Sequence, residues 1–279
     1  MGRVTTRTPA VRIDLSDPAA PVVVSRPDTV TVEEPLEIRI GRTSFAVTMR
    51  TPGDDFDLAL GFLLTEGLIG AAADVAALMH CLDEDADGSP TYNVVDVTLA
   101  AGATPPPPGS ARELYTSSSC GICGKASIDA VRTQTRYAVG EDPVGPTPGV
   151  LAGMPDTLRE HQKVFDRTGG LHAAGLFTAD GELQVMREDV GRHNAVDKVI
   201  GWAARQDRLP LAGCVLMVSG RASFELTQKA MMAGIPTLAA VSAPSSLAVE
   251  LATEVGMTLV GFVRPPRMTV YSGAARLGL

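Results

Sequence analysis

The chain has 279 residues, of which 45% are hydrophobic and 20% are charged, with a formal net charge of −8 and a pI near 5.0. This length can bury the core of one large or two modest domains, and the composition is typical of a globular enzyme. The acidic balance argues against a nucleic-acid-binding protein, which would normally be basic. No apolar leader opens the chain, and no run of about 18 apolar residues occurs in it. We therefore expect a cytoplasmic protein without a membrane anchor.

Two segments of the N-terminal half, residues 36–40 and 44–49, alternate apolar and polar side chains around Gly41-Arg42. A glycine-containing pair suits the two-residue turn of a β-hairpin, so the pattern predicts a hairpin with one buried face. A further strand is predicted from Tyr92 to Leu99, before a proline-rich surface connection over residues 102–109.

A helix is predicted between this hairpin and the next strand. Asp54 is suited to cap its first turn through a side-chain oxygen, and Gly67 follows its last residue, Glu66. Asp55 and Asp57 lie in the first turn, where the positive end of the helix dipole stabilises carboxylates. We therefore expect a short helix with one apolar side in the N-terminal core.

The C-terminal half alternates short apolar runs with amphipathic helical patterns. A hairpin is predicted around Asp180-Gly181. The segments after it read as helix and strand in turn, over residues 190–205, 214–218, 222–233, 237–241, 246–255 and 258–263. Such runs predict a sheet that is buried on both faces and has right-handed crossovers. The predicted fold class is therefore α/β, or α+β overall, with three layers in the C-terminal half.

Prolines and glycines concentrate at residues 143–149, which makes this stretch the best candidate for a linker between domains. We therefore expect a smaller α+β domain over residues 1–149 and an α/β domain over residues 150–279. The N-terminal domain would contain the cysteine motif described next.

The most informative motif is a Cys-x-x-Cys pair, Cys120 and Cys123, in a segment rich in serine and glycine. Two thiols at this spacing can bind a metal, exchange disulfides or carry sulfur. The chain has four cysteines, too few for a disulfide framework at this length, so we expect the thiols to be reduced.

Metal binding is the least favoured of the three uses. Structural zinc needs four ligands, whereas Cys81, Cys214, His172 and His193 stand alone in core or helix patterns outside the single pair. A zinc deaminase would need a His-x-Glu element and a Pro-Cys-x-x-Cys element, and the sequence contains neither. We therefore expect no resident metal ion.

Disulfide exchange and sulfur carriage both stay open. The sequence Cys-Gly-Ile-Cys resembles a thioredoxin-type motif, but that motif normally follows a buried strand in a small βαβ unit. A carrier cysteine needs thiolate character, to react with a persulfide, and a flexible backbone, to present its sulfur to an acceptor. Lys125 and the paired thiol favour the thiolate, and Gly121 and Gly124 free the backbone on both sides. Sulfur carriage is favoured, with a thiol-disulfide oxidoreductase as the alternative.

Three glycine-containing polar turns occur in the C-terminal half, at residues 168–175, 187–198 and 219–221. Each falls at a strand or helix end, where backbone N–H groups can receive anionic groups. Taken singly, each turn is explained by capping, solvation or packing. Together with Arg264 and Arg267, they predict a ligand crevice. Neither a dinucleotide-binding fingerprint nor a P-loop accompanies them.

Several motifs in a fixed order resemble the formate dehydrogenase accessory sulfurtransferase family, FdhD. The resemblance covers nearly the whole chain apart from its start and its proline-rich loops. One departure is Arg187, which stands where many relatives have histidine. The motifs occupy residues 49–55, 65–67, 120–124, 170–174, 188–198, 219–225 and 261–264.

The resemblance implies a C-terminal domain related to cytidine deaminases and a sulfurtransferase required for formate dehydrogenase activity. Such a protein accepts sulfur from a cysteine desulfurase as a cysteine persulfide. It passes the sulfur to the molybdenum cofactor, in its bis-molybdopterin guanine dinucleotide form, before insertion into formate dehydrogenase. The family's persulfide carrier corresponds to Cys120, and we assign Cys123 to sulfur release. The family's cofactor-binding segment maps onto Phe262, Val263, Arg264, Pro265, Pro266 and Arg267.

The resemblance also implies a symmetric homodimer, with a cysteine desulfurase and formate dehydrogenase as protein partners. A second class of function stays open, namely a non-catalytic chaperone that shields the molybdenum cofactor and uses the cysteine loop only to dock partners. The two classes differ in whether a covalent persulfide forms on Cys120.

Overall fold

The computed structural model describes residues 3–81, 91–106 and 136–279, and these form three β-sheets together with α-helices. The strands are β1 Thr5–Asp14, β2 Val22–Thr31, β3 Glu34–Ile40, β4 Thr43–Arg50, β5 Val75–Cys81, β6 Val94–Leu99, β7 His172–Phe177, β8 Leu183–Asp189, β9 Val215–Val218, β10 Thr237–Ala240, β11 Thr258–Arg264 and β12 Arg267–Ser272. The helices are α1 Asp55–Thr65, α2 Pro148–His161, α3 Lys163–Thr168, α4 Arg192–Arg205, α5 Phe224–Met232 and α6 Ser246–Glu254. None of these described helices is both long enough and apolar enough to cross a bilayer.

The predicted N-terminal hairpin is confirmed as β3 and β4, which belong to a four-stranded sheet in the order β4-β3-β6-β5. Gly41 and Arg42 have φ values of 54° and 71°, as the two central residues of a type I′ hairpin turn require. The predicted strand at Tyr92 to Leu99 is observed as β6. One face of the sheet packs against α1 and is buried through Leu36, Ile38, Ile40, Val95 and Val97.

Helix α1 forms where predicted, but Asp54 does not cap it with its side chain. Asp54 has φ 53° and ψ 32°, in the left-handed region, whereas a side-chain cap is normally made from extended backbone. Its carboxylate instead lies 3.3 Å from Nε of Arg187 on β8. The capping prediction is therefore wrong, and Asp54 forms an ion pair with the C-terminal sheet.

The C-terminal half contains a six-stranded sheet in the order β12-β11-β10-β9-β7-β8. Strands β9, β10 and β11 are parallel, whereas β12, β7 and β8 are antiparallel to their neighbours. All residues of β9 and β10 are buried, because helices α4, α5 and α6 cover one face of the sheet and α2 covers the other. The predicted three-layer α/β arrangement is therefore confirmed.

Several regular elements were not predicted, namely the ribbon of β1 and β2, strands β5 and β12, and helices α2 and α3. Part of the predicted linker begins α2, because Thr147 Oγ1 accepts a hydrogen bond from the Val150 N–H and Pro148 occupies the first turn. Just before the predicted linker, Val139 is buried in the core beneath α4, α5 and α6. The division into domains at residue 149 stays a prediction.

Helices α1 and α4 cross at two glycines. A Cβ added to Gly61 would overlap the backbone of Asp197, and a Cβ added to Gly201 would overlap the backbone of Asp57. Because glycine has no side chain, the two helix backbones touch directly. This crossing fixes the N-terminal sheet, which carries α1, against the C-terminal sheet, which carries α4.

Strands β1 and β2 form a separate two-stranded ribbon that is attached to the body through α3 at its base. The Thr31 hydroxyl donates to Oγ1 of Thr168 at 3.0 Å, and Arg167 donates to Oγ1 of Thr5 at 2.8 Å. Most residues of both strands are exposed. The ribbon therefore extends from the body at the point where α3 ends.

Candidate functional site

A cleft opens at the carboxyl ends of the parallel strands β9, β10 and β11, which is where open α/β sheets bind ligands. Its volume is about 730 Å³, in the range of small-molecule sites. Helices α2 and α3 form one wall, and the strand ends form the other. Lining residues from both walls include Gln162, Phe165, His172, Ser219, Val263 and Arg264.

The predicted cofactor-binding segment reaches this cleft with half of its residues. Val263, Arg264 and Pro265 line the cleft, whereas Phe262, Pro266 and Arg267 do not. The Arg264 Nε–H donates to the Val241 carbonyl at 3.0 Å, which ties the guanidinium to the end of the neighbouring strand β10. The segment therefore presents one cation and two apolar side chains to the cleft.

The wall made by α2 and α3 contributes residues that sequence reasoning missed. Gln162, between the two helices, is 4% exposed and lines the cleft. The Arg159 guanidinium lies 4.9 Å from the centre of the Phe165 ring and forms an ion pair with Asp166. This wall offers a planar ring, a cation and a side-chain amide. The apolar spacing of Leu151, Met154 and Leu158 could have identified the helix.

Glu188 on β8 fixes the position of α3. Its two carboxylate oxygens accept hydrogen bonds from the N–H groups of Val164 and Phe165, at 3.0 and 2.8 Å. These are first-turn donors that have no partner within the helix. Glu188 therefore caps the N-terminus of α3. Because Phe165 of α3 lines the cleft, this cap also helps to position the Phe165 ring.

His172 stands at the start of β7 and is the titratable histidine of the cleft. Burial lowers the pKa of His172 below its usual value, and the neighbouring Arg192 and His193 lower it further. The imidazole is therefore neutral at pH 7 and can accept a proton or a hydrogen bond. Next to it, Ser219 Oγ accepts a hydrogen bond from the Ala173 N–H at 2.9 Å.

Two of the three predicted ligand turns reach the cleft. Gly169, Gly170, Leu171 and His172 line it from the first turn, and Ser219 lines it from the third. Residues 187–198 do not line it. In that part of the chain Asp189 is fully buried, with its Oδ2 2.7 Å from Nζ of Lys198. Two of the three predicted turns therefore line the cleft and the 187–198 turn does not, while ligand binding there stays a prediction.

A second carboxylate of that turn, Asp197, also serves packing. Asp197 is buried beside Lys229, whose Nζ lies 3.0 Å from its Oδ2 and 2.9 Å from Oε1 of Glu66. Burial alone would lower the pKa of Lys229. The nearby carboxylates of Asp197 and Glu66 have a larger effect, and the pKa of Lys229 is raised. The ammonium therefore stays charged and joins α1, α4 and α5.

Arg187 is also engaged in ion pairs. Its guanidinium lies 3.1 Å from Oδ2 of Asp57 and 3.3 Å from Oδ2 of Asp54. Asp57 in turn lies 2.8 Å from Nη1 of Arg205. Arg187 therefore serves as a cation between α1 and β8, with no geometry for proton transfer.

His193 and Glu225 form a second polar contact near the start of α4 and α5. His193 Nε2 lies 3.8 Å from Oε2 of Glu225, longer than a hydrogen bond, and no described residue bonds to that buried nitrogen. His193 is the main cause that lowers the pKa of Glu225 to about 2, against the opposing effect of burial. Glu225 is therefore a carboxylate throughout the physiological pH range.

The predicted catalytic cysteines, Cys120 and Cys123, lie outside the described residues. The other two cysteines are described: Cys81 is partly buried at the end of β5, and Cys214 is buried before β9. Burial raises the pKa of the Cys214 thiol, which makes it a poorer nucleophile. Among the described residues, no group of three or more His, Cys, Asp or Glu side chains is arranged to hold a metal ion.

The chain is similar to curated proteins over nearly its full length. It is 61% identical over 255 residues to a protein of Mycolicibacterium paratuberculosis named sulfur carrier protein FdhD, covering 91% of this chain and 94% of the relative. It is 59% identical over 280 residues to a protein of the same name from Streptomyces coelicolor, covering 100% and 98%.

A solved structure shares the fold. The crystal structure assigned to a formate dehydrogenase accessory protein from Desulfotalea psychrophila matches with a TM-score of 0.74 and 24% identity, over 99% of this chain and 100% of that one. The family model described as the FdhD/NarQ family matches residues 31–278. On the strength of this match and of the two full-length relatives, the chain belongs to the FdhD/NarQ family.

Proposed function

We propose that this chain is a sulfurtransferase that carries sulfur as a cysteine persulfide and delivers it to the molybdenum cofactor for a formate dehydrogenase. The observation that carries the proposal is the identity of 61% and 59%, over nearly the full chain, to proteins named as sulfur carriers. The proposed sulfur donor is a cysteine desulfurase, and the proposed compartment is the cytoplasm. The acceptor is the bis-molybdopterin guanine dinucleotide form of the cofactor.

The proposed chemistry begins at Cys120. Its thiolate attacks the terminal sulfur of the desulfurase persulfide, the S–S bond of that persulfide breaks, and the desulfurase thiolate leaves. Cys120 then holds the terminal sulfur as its own persulfide. For delivery, the thiolate of Cys123 attacks the Cys120 sulfur and releases the terminal sulfur as hydrosulfide. This second step leaves a Cys120–Cys123 disulfide, which a small thiol or dithiol reductant must reduce before the next cycle.

The cleft has side chains suited to hold part of the acceptor. Arg159 and Arg264 can pair with phosphate oxygens, since a guanidinium offers two parallel donors, while Asp156 on the same lining opposes anions. Phe165 and Val263 give apolar surface for a flat ring, and the amide of Gln162 can bond to a ring edge. At about 730 Å³ the cleft is the size of a small-molecule site, so it would hold one part of so large a cofactor. The bound cofactor supplies the metal that takes the sulfur.

The persulfide is tested by the mass of the intact protein after incubation with a cysteine desulfurase and cysteine. We expect a gain of about 32 Da, one sulfur atom, that a thiol reductant removes. The gain should disappear in Cys120→Ala and persist in the control Cys81→Ala. A wild-type protein that gains no mass under conditions in which the desulfurase itself is loaded would contradict the proposal.

The mass measurement also tests the cofactor chaperone, and a separate insulin-reduction assay tests the thiol-disulfide oxidoreductase. A cofactor chaperone would bind the molybdenum cofactor with no mass gain on Cys120. A thiol-disulfide oxidoreductase would reduce the disulfides of insulin with a thiol donor, which sulfur carriage does not require. The step assigned to Cys123 has its own test, because Cys123→Ala should retain the added sulfur and lose formate dehydrogenase activation.

A further inference from the structure

Three polar side-chain atoms are buried where helices α4 and α5 begin. They are Nε of Arg192, Nε2 of His193 and Oγ of Ser223, and none of them forms a hydrogen bond within the part of the chain that the structure describes. Buried polar groups in folded proteins are usually paired, with another residue, with water or with a ligand. Three unpaired atoms in one region therefore indicate the position of a bound molecule.

Ser223 occupies the N-cap position of α5 but does not cap the helix. Its backbone is extended, with φ −91° and ψ 168°, which is the conformation from which a serine side chain normally accepts a first-turn N–H. Thr147 and Ser245 are the N-cap residues of α2 and α6 in a similar conformation, and their hydroxyls do accept such bonds, at 3.3 and 3.2 Å. The Ser223 hydroxyl is therefore left to bind something other than its own helix.

The Glu225 carboxylate determines where His193 carries its proton. Nε2 of His193 lies 3.8 Å from Oε2 of Glu225, and the two side chains are 15% and 41% exposed. Glu225 stays ionised, because His193 lowers its pKa to about 2 against the effect of burial, and Ser223 lowers it further. A proton on Nε2 is favoured next to this negative charge, whereas a lone pair there would be repelled. His193 therefore presents an N–H, as Arg192 does at Nε, and the Ser223 hydroxyl can donate as well.

These donors, with one carboxylate beside them, select a particular kind of ligand. Arg192 carries a permanent positive charge, so the donors suit an anion. Glu225 repels an anion that has only lone pairs, but it can accept a hydrogen bond from an anion that carries a proton. Because Nε2 of His193 and Oε2 of Glu225 are 3.8 Å apart, a single heavy atom beside them can bond to both. Hydrosulfide is a one-atom anion with a proton, and the proposed sulfur transfer releases it.

The cluster of Arg192, His193 and Ser223 adjoins the cleft at His172, which lines the cleft. Burial is the main cause that lowers the pKa of His172, and Arg192 and His193 are the next causes, so both side chains lie near its ring. A Cβ added to Gly220, in the turn that leads to Ser223, would lie 3.4 Å from Nδ1 of His172. An ion bound in the cluster therefore lies beside the cleft in which we place the cofactor.

We propose that Arg192, His193 and Ser223 form a binding site for hydrosulfide. Their three donors bind the sulfur, and the S–H group donates to the Glu225 carboxylate. Binding is non-covalent, so no bond is made or broken at this site. The inference rests on the proposed function, because sulfur transfer supplies the hydrosulfide, but the site itself contains no cysteine. It holds the released sulfur beside the cofactor and keeps it from escaping to solvent.

The test measures hydrosulfide binding to the full-length protein that carries Cys120→Ala and Cys123→Ala, so that persulfide exchange on this pair cannot contribute. Sodium hydrosulfide is titrated at pH 8 without oxygen, and two-dimensional NMR follows the ring nitrogens of the four histidines. We expect the resonances of the His193 ring to shift saturably. Those of the exposed His161 ring should stay in place.

Substitutions in the site are compared in the same background. Ser223→Ala and Arg192→Gln should each raise the dissociation constant of hydrosulfide about tenfold, since each removes a hydrogen bond to a charged ligand. Ser246→Ala, at an exposed serine in the first turn of α6, is the matched control and should leave the constant unchanged. Sodium chloride at the same concentration should not displace hydrosulfide, because chloride has no proton to donate to Glu225.

Three results would overturn the inference. They are a His193 ring that does not shift saturably, chloride that displaces hydrosulfide at equal concentration, and equal dissociation constants for Ser223→Ala and Ser246→Ala. Far-UV circular dichroism checks that each variant is folded, and if Arg192→Gln is not, Ser223→Ala decides alone. A failure of the proposed function looks different, because wild type would then gain no sulfur on Cys120 while the hydrosulfide titration still saturates.

Discussion

Nζ of Lys198 lies 2.7 Å from Oδ2 of Asp189, and both side chains are almost completely buried. The ammonium also donates to the Thr51 carbonyl at 2.9 Å, while the Thr51 N–H donates to the same Asp189 carboxylate at 3.2 Å. Thr51 follows strand β4 of the N-terminal sheet, whereas Asp189 and Lys198 belong to β8 and α4. This triangle therefore joins the two sheets through polar groups that have no access to water.

Replacing Lys198 by methionine should destabilise the protein strongly. The substitution keeps most of the unbranched side chain and removes its charged end, which leaves the Asp189 carboxylate buried without its counter-ion. Breaking such a pair from one side typically costs about 3–5 kcal/mol. The free energy of unfolding in urea measures it, and Lys163→Met, at an exposed lysine, is the matched control. Equal stabilities of the two variants would contradict the structural role of the pair.

Substitution by alanine should have opposite effects on stability at a glycine in the crossing of α1 and α4 and at a glycine outside it. Gly201→Ala places a methyl group against the backbone of Asp57, and overpacking of this kind costs about 1–3 kcal/mol or more. Gly153→Ala in α2 meets no atom within 4 Å, and alanine favours helix by about 0.5–1 kcal/mol. The midpoint temperature of thermal unfolding should therefore fall for Gly201→Ala and stay level or rise for Gly153→Ala.

Arg264 and Arg267 belong to the same predicted cofactor-binding segment, but Arg264 alone lines the cleft. We expect Arg264→Gln to weaken cofactor binding by about tenfold or more, since a hydrogen bond to a charged group contributes about 1.5–3 kcal/mol. Arg267→Gln should change it little. Binding of the purified molybdenum cofactor by calorimetry gives both numbers. A loss that is equal for the two variants would place the ligand elsewhere.

His172 predicts a dependence of stability on pH. Because burial lowers its pKa in the folded state, the unfolded chain takes up the proton more readily than the native protein does. Stability should therefore fall as the pH drops below about 6.5, the usual value for histidine. His172→Gln removes this contribution, so its unfolding free energy should fall less than that of wild type between pH 7.5 and 5.5. His161→Gln, at an exposed histidine of α2, should leave the wild-type drop in place.

Local periodicity accounts for the parts of the fold that could be predicted. Strands β9, β10 and β11 and helix α4 have patterns that report burial directly, and these elements set the position of the cleft. Helix α2 does show the helical spacing of Leu151, Met154 and Leu158, but Gly149, Gly153 and Pro155, all poor helix formers, argue against a helix there. Burial of the three apolar side chains against the sheet outweighs these poor helix formers, and a sequence does not show that burial. One wall of the cleft was therefore missed.

The polar turn at residues 187–198 shows the opposite error, a ligand contact that is predicted from the sequence but not found in the structure. Its charged residues look like ligand contacts because a sequence does not reveal which partner a charge meets. Asp189 pairs with Lys198 and bonds to Thr51, and Asp197 pairs with Lys229, so the partners come from other elements of the fold. Buried charges of this kind imitate a binding site until the packing around them is known.

The hydrogen bond between Thr31 and Thr168 places the ribbon next to the cleft, because Gly169 and Gly170 directly follow Thr168 and form part of the cleft wall. A displacement of the cleft wall and a displacement of the ribbon would therefore both act on the hydrogen bond between Thr31 and Thr168. Thermodynamic linkage is reciprocal: a ligand that moves the ribbon when it fills the cleft must bind with a different affinity once the ribbon is held in place.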